Sequence, residues 1–200
     1  MNYTGPKVRL SRRLGVPLTP KASKYLDRRP NPPGQHGPNM RRKKVSDYGR
    51  QLLEKQRLRF QYNVSERQLH NLYYRTKRKV GDTGELMVQQ LETRLDAFVL
   101  RAGFARSIYA ARQFVRHGHF NVNGKRVDLP GLHLQPGDTI AVRPRSRKLE
   151  IFRQSLGQVV APSYIEVVKP ELNARLLRMP QRDEIPVICN VTLVIEYYSR

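Results

Sequence analysis

The sequence predicts an α+β chain: a helical unit preceded by an extended basic N-terminal arm, and a module of two helices with an antiparallel β-sheet. Three observations carry this. Apolar residues recur at helical spacing from Ser46 to Arg116, and they alternate around turn dipeptides from Phe120 onward. Residues 28–44, RRPNPPGQHGPNMRRKK, set prolines and glycines among cations where neither helix nor sheet continues.

Residues 1–44 are therefore expected as the extended arm. From Ser46, SDYGRQLLEKQRLRFQYN reads as a helix capped by that serine, with Leu52, Leu53 and Phe60 on its buried side. SERQLHNLYYRTKRK follows, with Ser65 and Gln68 spaced as a capping box and Leu69, Leu72 and Tyr73 as the stripe. TGELMVQQLE is a third helix, with Thr83 as its expected cap. Asp82-Thr83-Gly84 has the letters of an aspartic-protease motif, but no second copy exists and the flanks are helical. These short helices must pack on one another to bury their stripes, which makes residues 45–92 a helical domain.

A second unit starts at Thr93. Leu95, Phe98, Val99 and Ala102 share one helical face, Thr93 and Asp96 resemble a capping box, and Gly103 stops the helix. Ser107 then caps IYAARQFVRH, which closes at Gly118. Phe120 and Val122 alternate with Asn121 and Asn123, and Asn123-Gly124 signals a two-residue hairpin turn. Pro136-Gly137-Asp138 before TIAVR suggests a later hairpin. NVTLVIEYY near the C-terminus fits a strand by alternation or a helix capped by Asn190.

Charge narrows the function. The chain has 200 residues, with 38 Lys or Arg against 16 Asp or Glu, a formal charge of +22. Residues 1–60 hold 16 of those cations and 3 of the acids. Self-repulsion of that size favours a polyanionic partner, nucleic acid first and an anionic membrane second. No apolar run is long enough to span a bilayer, and the N-terminus lacks a signal-peptide core, so an intracellular protein is expected. Cys189 is the single cysteine, which excludes an intrachain disulfide and a cysteine-based zinc site.

The helix from Ile108 locates a binding face. Ile108, Ala111, Phe114 and Val115 cluster on one side, whereas Tyr109, Arg112, Gln113 and Arg116 recur at i, i+3, i+4 and i+7 on the other. That face adjoins a hairpin carrying Asn123 and Lys125. His117 and His119 alternate at the helix exit without a nearby Cys, Asp or Glu, a poor chelating set better suited to phosphate or base contacts. A helix-turn-helix reading places Arg112 and Gln113 in a DNA major groove. Cations spread over an arm and a helical unit suit a folded RNA. Composition leaves both open. A modifying enzyme needs convergent acids or nucleophiles, which are sparse, so no catalytic residues are expected.

The residues LETRLDAFVLRAGFARSIYAARQFVRHGHFNVNGKRVDLPGLHLQPGDTIAV resemble the RNA-binding module named after small-subunit ribosomal protein S-four. YTGP at 3–6, RRPNPPGQHG at 28–37, RRKKVSDYGRQLLEKQRLR at 41–59, GDTGE at 81–85 and the terminal EYYSR extend the resemblance to the S-four family over nearly the whole chain. The family resemblance implies an RNA-binding module inserted in the helical domain: 93–174, with its core at 93–157, and the helical domain completed by about residues 175–200. It implies that NVTLVIEYY is a helix. It implies a primary binder of the 5′ domain of 16S rRNA that nucleates assembly of the subunit body. A neighbouring protein S-five, an influence on decoding accuracy and repression of its own mRNA also follow from it. The residues it assigns to rRNA are Arg41, Arg42, Lys43, Lys44, Tyr48, Arg50, Lys55, Arg57 and Arg59, then Arg106, Arg112, Arg116, His117, His119 and Asn123; the exposed-face reading adds Gln113 and Lys125. Location in the small ribosomal subunit, in a bacterial cytoplasm or an organelle, follows likewise. Many bacterial members bind a metal through cysteines in the first thirty or so residues; here LSRRLGVPLTPKASKYLDRR has none, so an arm without metal or cofactor is expected.

Overall fold

A computed structural model describes residues 3–39, 45–156 and 160–200. The chain divides into two compact units, Met1–Met87 with Val187–Arg200, and Val88–Pro186. The helices are α1 (Lys7–Leu14), α2 (Pro20–Arg28), α3 (Asp47–Gln61), α4 (Glu66–Lys77), α5 (Thr83–Glu92), α6 (Leu95–Arg101), α7 (Ile108–Arg116), α8 (Glu150–Leu156) and α9 (Val191–Ser199). The strands are β1 (Phe120–Val122), β2 (Lys125–Val127), β3 (Thr139–Val142), β4 (Ile165–Val168) and β5 (Asn173–Leu176).

In the first unit the arm differs from expectation: much of it is helical. Leu10, Leu14, Val16, Leu18 and Ala22 are buried, a stripe that the surrounding cations obscured. Gly15 ends α1 in the left-handed region at φ +68°, and Thr19 caps α2 by accepting from Ala22 N at 3.3 Å, with Pro20 at the first helical position. Residues 29–39 after α2 form no α-helix. Arg12 donates Nε to the Arg29 and Asn31 carbonyls at 3.2 and 3.1 Å and so ties its start to α1.

Helix α3 also turns a different face inward. Gln51, Lys55, Leu58 and Tyr62 are buried, whereas Leu52, Leu53 and Phe60 are only half-buried. The stripe runs at i, i+4, i+7 and i+11, and two of its members are polar, which hides it from a hydrophobic count. Helix α9 packs on α3 and α4. Asn190 caps α9, its Oδ1 accepting from Leu193 N at 3.4 Å, so NVTLVIEYY is a helix. The Ser65–Gln68 capping box forms on α4. At α5 the cap is Asp82 rather than Thr83, with Oδ2 accepting from Glu85 N at 3.0 Å.

In the second unit, α6 and α7 pack together against a five-stranded antiparallel sheet of order β2-β1-β3-β5-β4. Phe98, Phe104, Phe120, Ile140, Val142, Phe152, Ala174 and Leu176 belong to one core. Thr93 and Asp96 do not form the expected capping box. Thr93 Oγ1 donates to the Gln90 carbonyl, while Asp96 lies fully buried in a two-pronged ion pair with Arg94 at 3.0 and 2.7 Å. Asn123 and Gly124 take φ of +49° and +80°, both positive as a type I′ turn requires, and Val122 faces Lys125 across it. Pro136-Gly137-Asp138 is not a hairpin turn. It leads into β3, whose partners are β1 and β5, and Gly137 N donates to the Leu176 carbonyl at 2.7 Å. Strands β4 and β5 carry the sheet past residue 157.

Candidate nucleic-acid interface

The second unit builds a cationic surface around the end of α7. Ser107 Oγ fixes the start of this helix by accepting from Ala110 N at 3.3 Å. At the far end His119 N donates to the Phe114 carbonyl at 3.1 Å and Gly118 N to the Val115 carbonyl at 2.8 Å, a Schellman closure. It requires the left-handed φ of +68° that Gly118 adopts. A Cβ at Gly118 would lie 2.5 Å from Arg126 Nε, so the Arg126 guanidinium lies across this glycine. Just past β3, Arg143 Nη1 donates to the Gly118 carbonyl at 3.0 Å. His119 Nδ1 meets Ser146 Oγ at 2.9 Å, and Arg147 Nε donates to the Val142 carbonyl at 3.0 Å.

Arg116, His117, His119, Arg126 and Arg143 thus gather at one helix terminus. A cation or two there is favoured by the negative end of the helix dipole. This number exceeds what the dipole calls for, and no ion pair among the described residues includes Arg116, Arg126, Arg143 or Arg147. The surface therefore presents positive charge that the second unit does not neutralise. Burial, followed by nearby His117 and Arg143, pushes His119 below its usual range, which favours the neutral ring in the free protein.

The residues expected at the interface fall into three groups. Arg106, Gln113, Arg116, His117 and Lys125 are exposed, and His119 is half-buried against Phe152. Arg112 is half-buried, with Nη1 3.3 Å from Asp96, so it lies at the margin of the face. Asn123 stands apart: its Nδ2 donates to Asp138 at 2.8 Å and its Oδ1 accepts from Thr139 N at 2.9 Å, which spends the amide on holding the hairpin.

On the first unit, Arg41, Arg42, Lys43 and Lys44 lie outside the described residues. Tyr48 is half exposed beside Tyr197, and Arg50 pairs with Asp47 at 2.8 Å. Lys55 is turned inward, 4% exposed, with its ammonium 2.9 Å from Glu66 and 4.4 Å from the Tyr197 ring centroid. It is a packing residue in this structure. Arg57 bonds to Glu54 and to the Leu14 carbonyl, and Arg59 to Gln56 and the Val64 carbonyl.

Sequence reasoning missed Arg126, Arg143 and Arg147. The signal was present for Arg126, next to Lys125 in the hairpin. Arg143 and Arg147 reach the surface only through the pairing of β3 with β1, which no local spacing reveals. Among the described residues no group of three His, Cys, Asp or Glu is placed to hold a metal ion, and no helix is long and apolar enough to cross a membrane.

The chain is similar to known proteins over its whole length. Residues 2–92 match the family model described as the ribosomal protein S4/S9 N-terminal domain, and residues 93–140 match the S4 domain. The chain is 50% identical over 204 residues to the small ribosomal subunit protein uS4 of Thermobifida fusca, with 100% of both chains covered. It is 52% identical to that of Streptomyces avermitilis over 204 residues, covering 100% of this chain and 99% of the relative. For Tropheryma whipplei the identity is 51% over 199 residues, with 96% and 97% covered.

Proposed function

This chain belongs to the small ribosomal subunit protein uS4 family, and from that premise we propose that it is a non-catalytic component of the subunit that docks on 16S rRNA through the cationic end of α7. The observation that carries the docking surface is the cluster of Arg116, Arg126 and Arg143 around Gly118 without carboxylate partners among the described residues. Each guanidinium can neutralise a phosphate and release its counterions, while His119, Gln113 and the glycine turn fix orientation at close range. Shape and phosphate position rather than one groove would then be read, as folded RNA requires.

The finer parts of the reading rest on the family resemblance. They are early attachment to a helix junction in the 5′ domain, nucleation of the subunit body, contact with protein S-five, an influence on decoding accuracy and repression of the chain's own mRNA. The division into an N-terminal arm, a helical domain and an inserted RNA-binding module belongs to the same proposal. Arg106, Arg112, Gln113, Arg116, His117, His119 and Lys125 are the proposed contacts on the module, joined by Arg126 and Arg143. Tyr48 and Arg41, Arg42, Lys43 and Lys44 are proposed for the arm and helical domain.

The test is binding of the full chain to a transcript of the 16S rRNA 5′ domain with no other protein present. Binding by the wild type and loss in an Arg116→Ala/Arg126→Ala/Arg143→Ala variant is the expected result. Binding that appears only after other subunit proteins are added would overturn the primary-binder role, and an unaffected variant would overturn the surface.

A further inference from the structure

We propose that this chain folds out of sequence order: the second unit forms first, and the first unit stays unfinished until residues 187–200 dock on α3, α4 and Gly84. Neither step depends on binding to RNA. The first unit is Met1–Met87 with Val187–Arg200, so Val88–Pro186 lies between its two parts. The core of the second unit, from Leu95 to Leu176, comes from one continuous stretch. That unit has its whole core once the stretch is made.

The first unit does not. Among the described elements α9 is the one that α3 packs against most, and α9 also touches α4. Ile188 exchanges two hydrogen bonds with the Gln61 amide at 3.0 and 3.1 Å, and Asn190 N donates to Glu54 at 2.9 Å. Gln51 Nε2 donates to Glu196 at 2.9 Å, and the Tyr198 hydroxyl to Glu66 at 2.7 Å. The Tyr73 and Tyr198 rings stack at 5.3 Å, and the Lys55 ammonium lies 4.4 Å from the Tyr197 centroid. Gln51, Lys55 and Tyr73 are buried in the finished unit. Without residues 187–200 they lose these partners, and polar groups are costly to bury unpaired, so this side of α3 and α4 stays solvated until α9 arrives.

Gly84 is the seat for α9. It lies within α5 and has no positive φ, so the backbone does not require a residue that disfavours the helix. A Cβ there would stand 3.0 Å from Val191 Cγ1 and 3.1 Å from Ile195 Cδ1, both on α9. The glycine admits α9 at close range, and a larger side chain holds it off.

Synthesis then sets the order. Domains generally fold as units, N-terminal first. Here about 100 residues separate the two parts of the first unit, which at about 5–20 residues per second delays its completion by about 5–20 s. Folding of the second unit in that interval shortens the flexible loop that α9 must close. A chain stopped inside the second unit never completes the first, so a finished helical unit marks a chain read through α9.

Two experiments on the full chain, both without RNA transcript, test this. In the first, residues 1–200 are held on the translating ribosome by a stalled Gly/Ser extension of increasing length and treated with protease. Residues 93–176 should become protected at a shorter extension than residues 46–87. At that shorter extension, cleavage within 46–87 should be at least about tenfold faster than at the longest one. Protection of 46–87 first, or of both stretches together, would overturn the folding order.

In the second, hydrogen exchange compares wild type, Gly84→Leu and Gly84→Leu/Val191→Ala/Ile195→Ala. Leucine favours helix α5 but blocks α9, so amides of α3 and α4 should exchange at least about tenfold faster while those of α6, α7 and the sheet match wild type. The triple variant frees about the volume that leucine adds and should restore most of the protection. Unchanged exchange in α3 and α4 of Gly84→Leu would overturn the dependence on α9. Failure of the triple variant to restore protection would show that Gly84 acts within its own helix, which overturns its role as the seat.

Discussion

Replacing Lys55 with methionine removes one ammonium and keeps most of the side chain's volume. Its effect separates packing from binding. In the structure the Lys55 side chain is 5% exposed, and its partner carboxylate on Glu66 is 43% exposed. An exposed ion pair contributes about 0–1 kcal/mol, and removing one partner of a fully buried pair costs about 3–5 kcal/mol. A half-buried pair falls between, and methionine recovers the desolvation cost of the ammonium. The expected loss is therefore about 1–2 kcal/mol, which for a unit of about 100 residues lowers Tm by at least about 4–8 °C. The pH dependence carries a further signature. Burial alone would raise the Glu66 pKa, but hydrogen bonds from Lys55 and from Tyr198 outweigh it and hold the carboxyl below 4.5. A depressed carboxyl stabilises the fold fully above its unfolded pKa and loses that contribution as pH falls through the folded value. The gap in Tm between wild type and Lys55→Met should thus be full at neutral pH and shrink below about pH 4. Thermal melts followed by circular dichroism measure both effects, and a salt titration with the 5′-domain transcript measures binding. An unchanged Tm together with weakened RNA binding would refute the inward assignment and return Lys55 to the RNA face.

Three other outcomes follow from the same structure. Gly118→Ala forces a left-handed residue and pushes Arg126 aside, so it should cost about 1 kcal/mol or more in stability and also weaken RNA binding; a variant that melts and binds like wild type would contradict the turn geometry. Because His119 is held below 6.5 by burial and by its cationic neighbours, the stability it confers is full above that value and declines as pH falls through the lower folded pKa. A bound phosphate reverses the preference, so RNA affinity should rise between about pH 8 and pH 5.5 in the wild type and rise less in His119→Asn; equal pH profiles would remove His119 from the interface. Ser107→Ala should cost about 1 kcal/mol through loss of the α7 cap, read from a thermal melt, with the salt slope of binding unchanged.

The elements most legible in the sequence were those with local signals. The capping box of α4, the glycines Gly103 and Gly118 that close α6 and α7 with positive φ, and the Asn-Gly turn are each decided within a few residues, and each stands in the structure. The face of α3 was misread because its buried stripe includes Gln51 and Lys55, whose Nε2 and Nζ donate to Glu196 and Glu66, far from them in sequence or on another helix. The helices within the arm were hidden by charge, since Leu10, Leu14 and Ala22 form a sparse stripe among arginines and lysines. At the proposed interface the exposed residues of α7 came from periodicity, but Arg143 depends on strand pairing across 24 or so residues, a non-local fact. Asn123, assigned to rRNA by the family resemblance, is exposed, and its amide is engaged with Asp138 and Thr139.

The central claim is that phosphate neutralisation around Gly118 drives docking on rRNA. Its most direct test is the salt dependence of binding to the 5′-domain transcript. If about eight phosphates are contacted in all, the log–log slope for wild type should lie near −6 to −7. Removing Arg116, Arg126 and Arg143 together should make it shallower by about 2–3 while the fold survives. A wild-type slope near zero, or a slope that the triple variant leaves unchanged, would contradict the account.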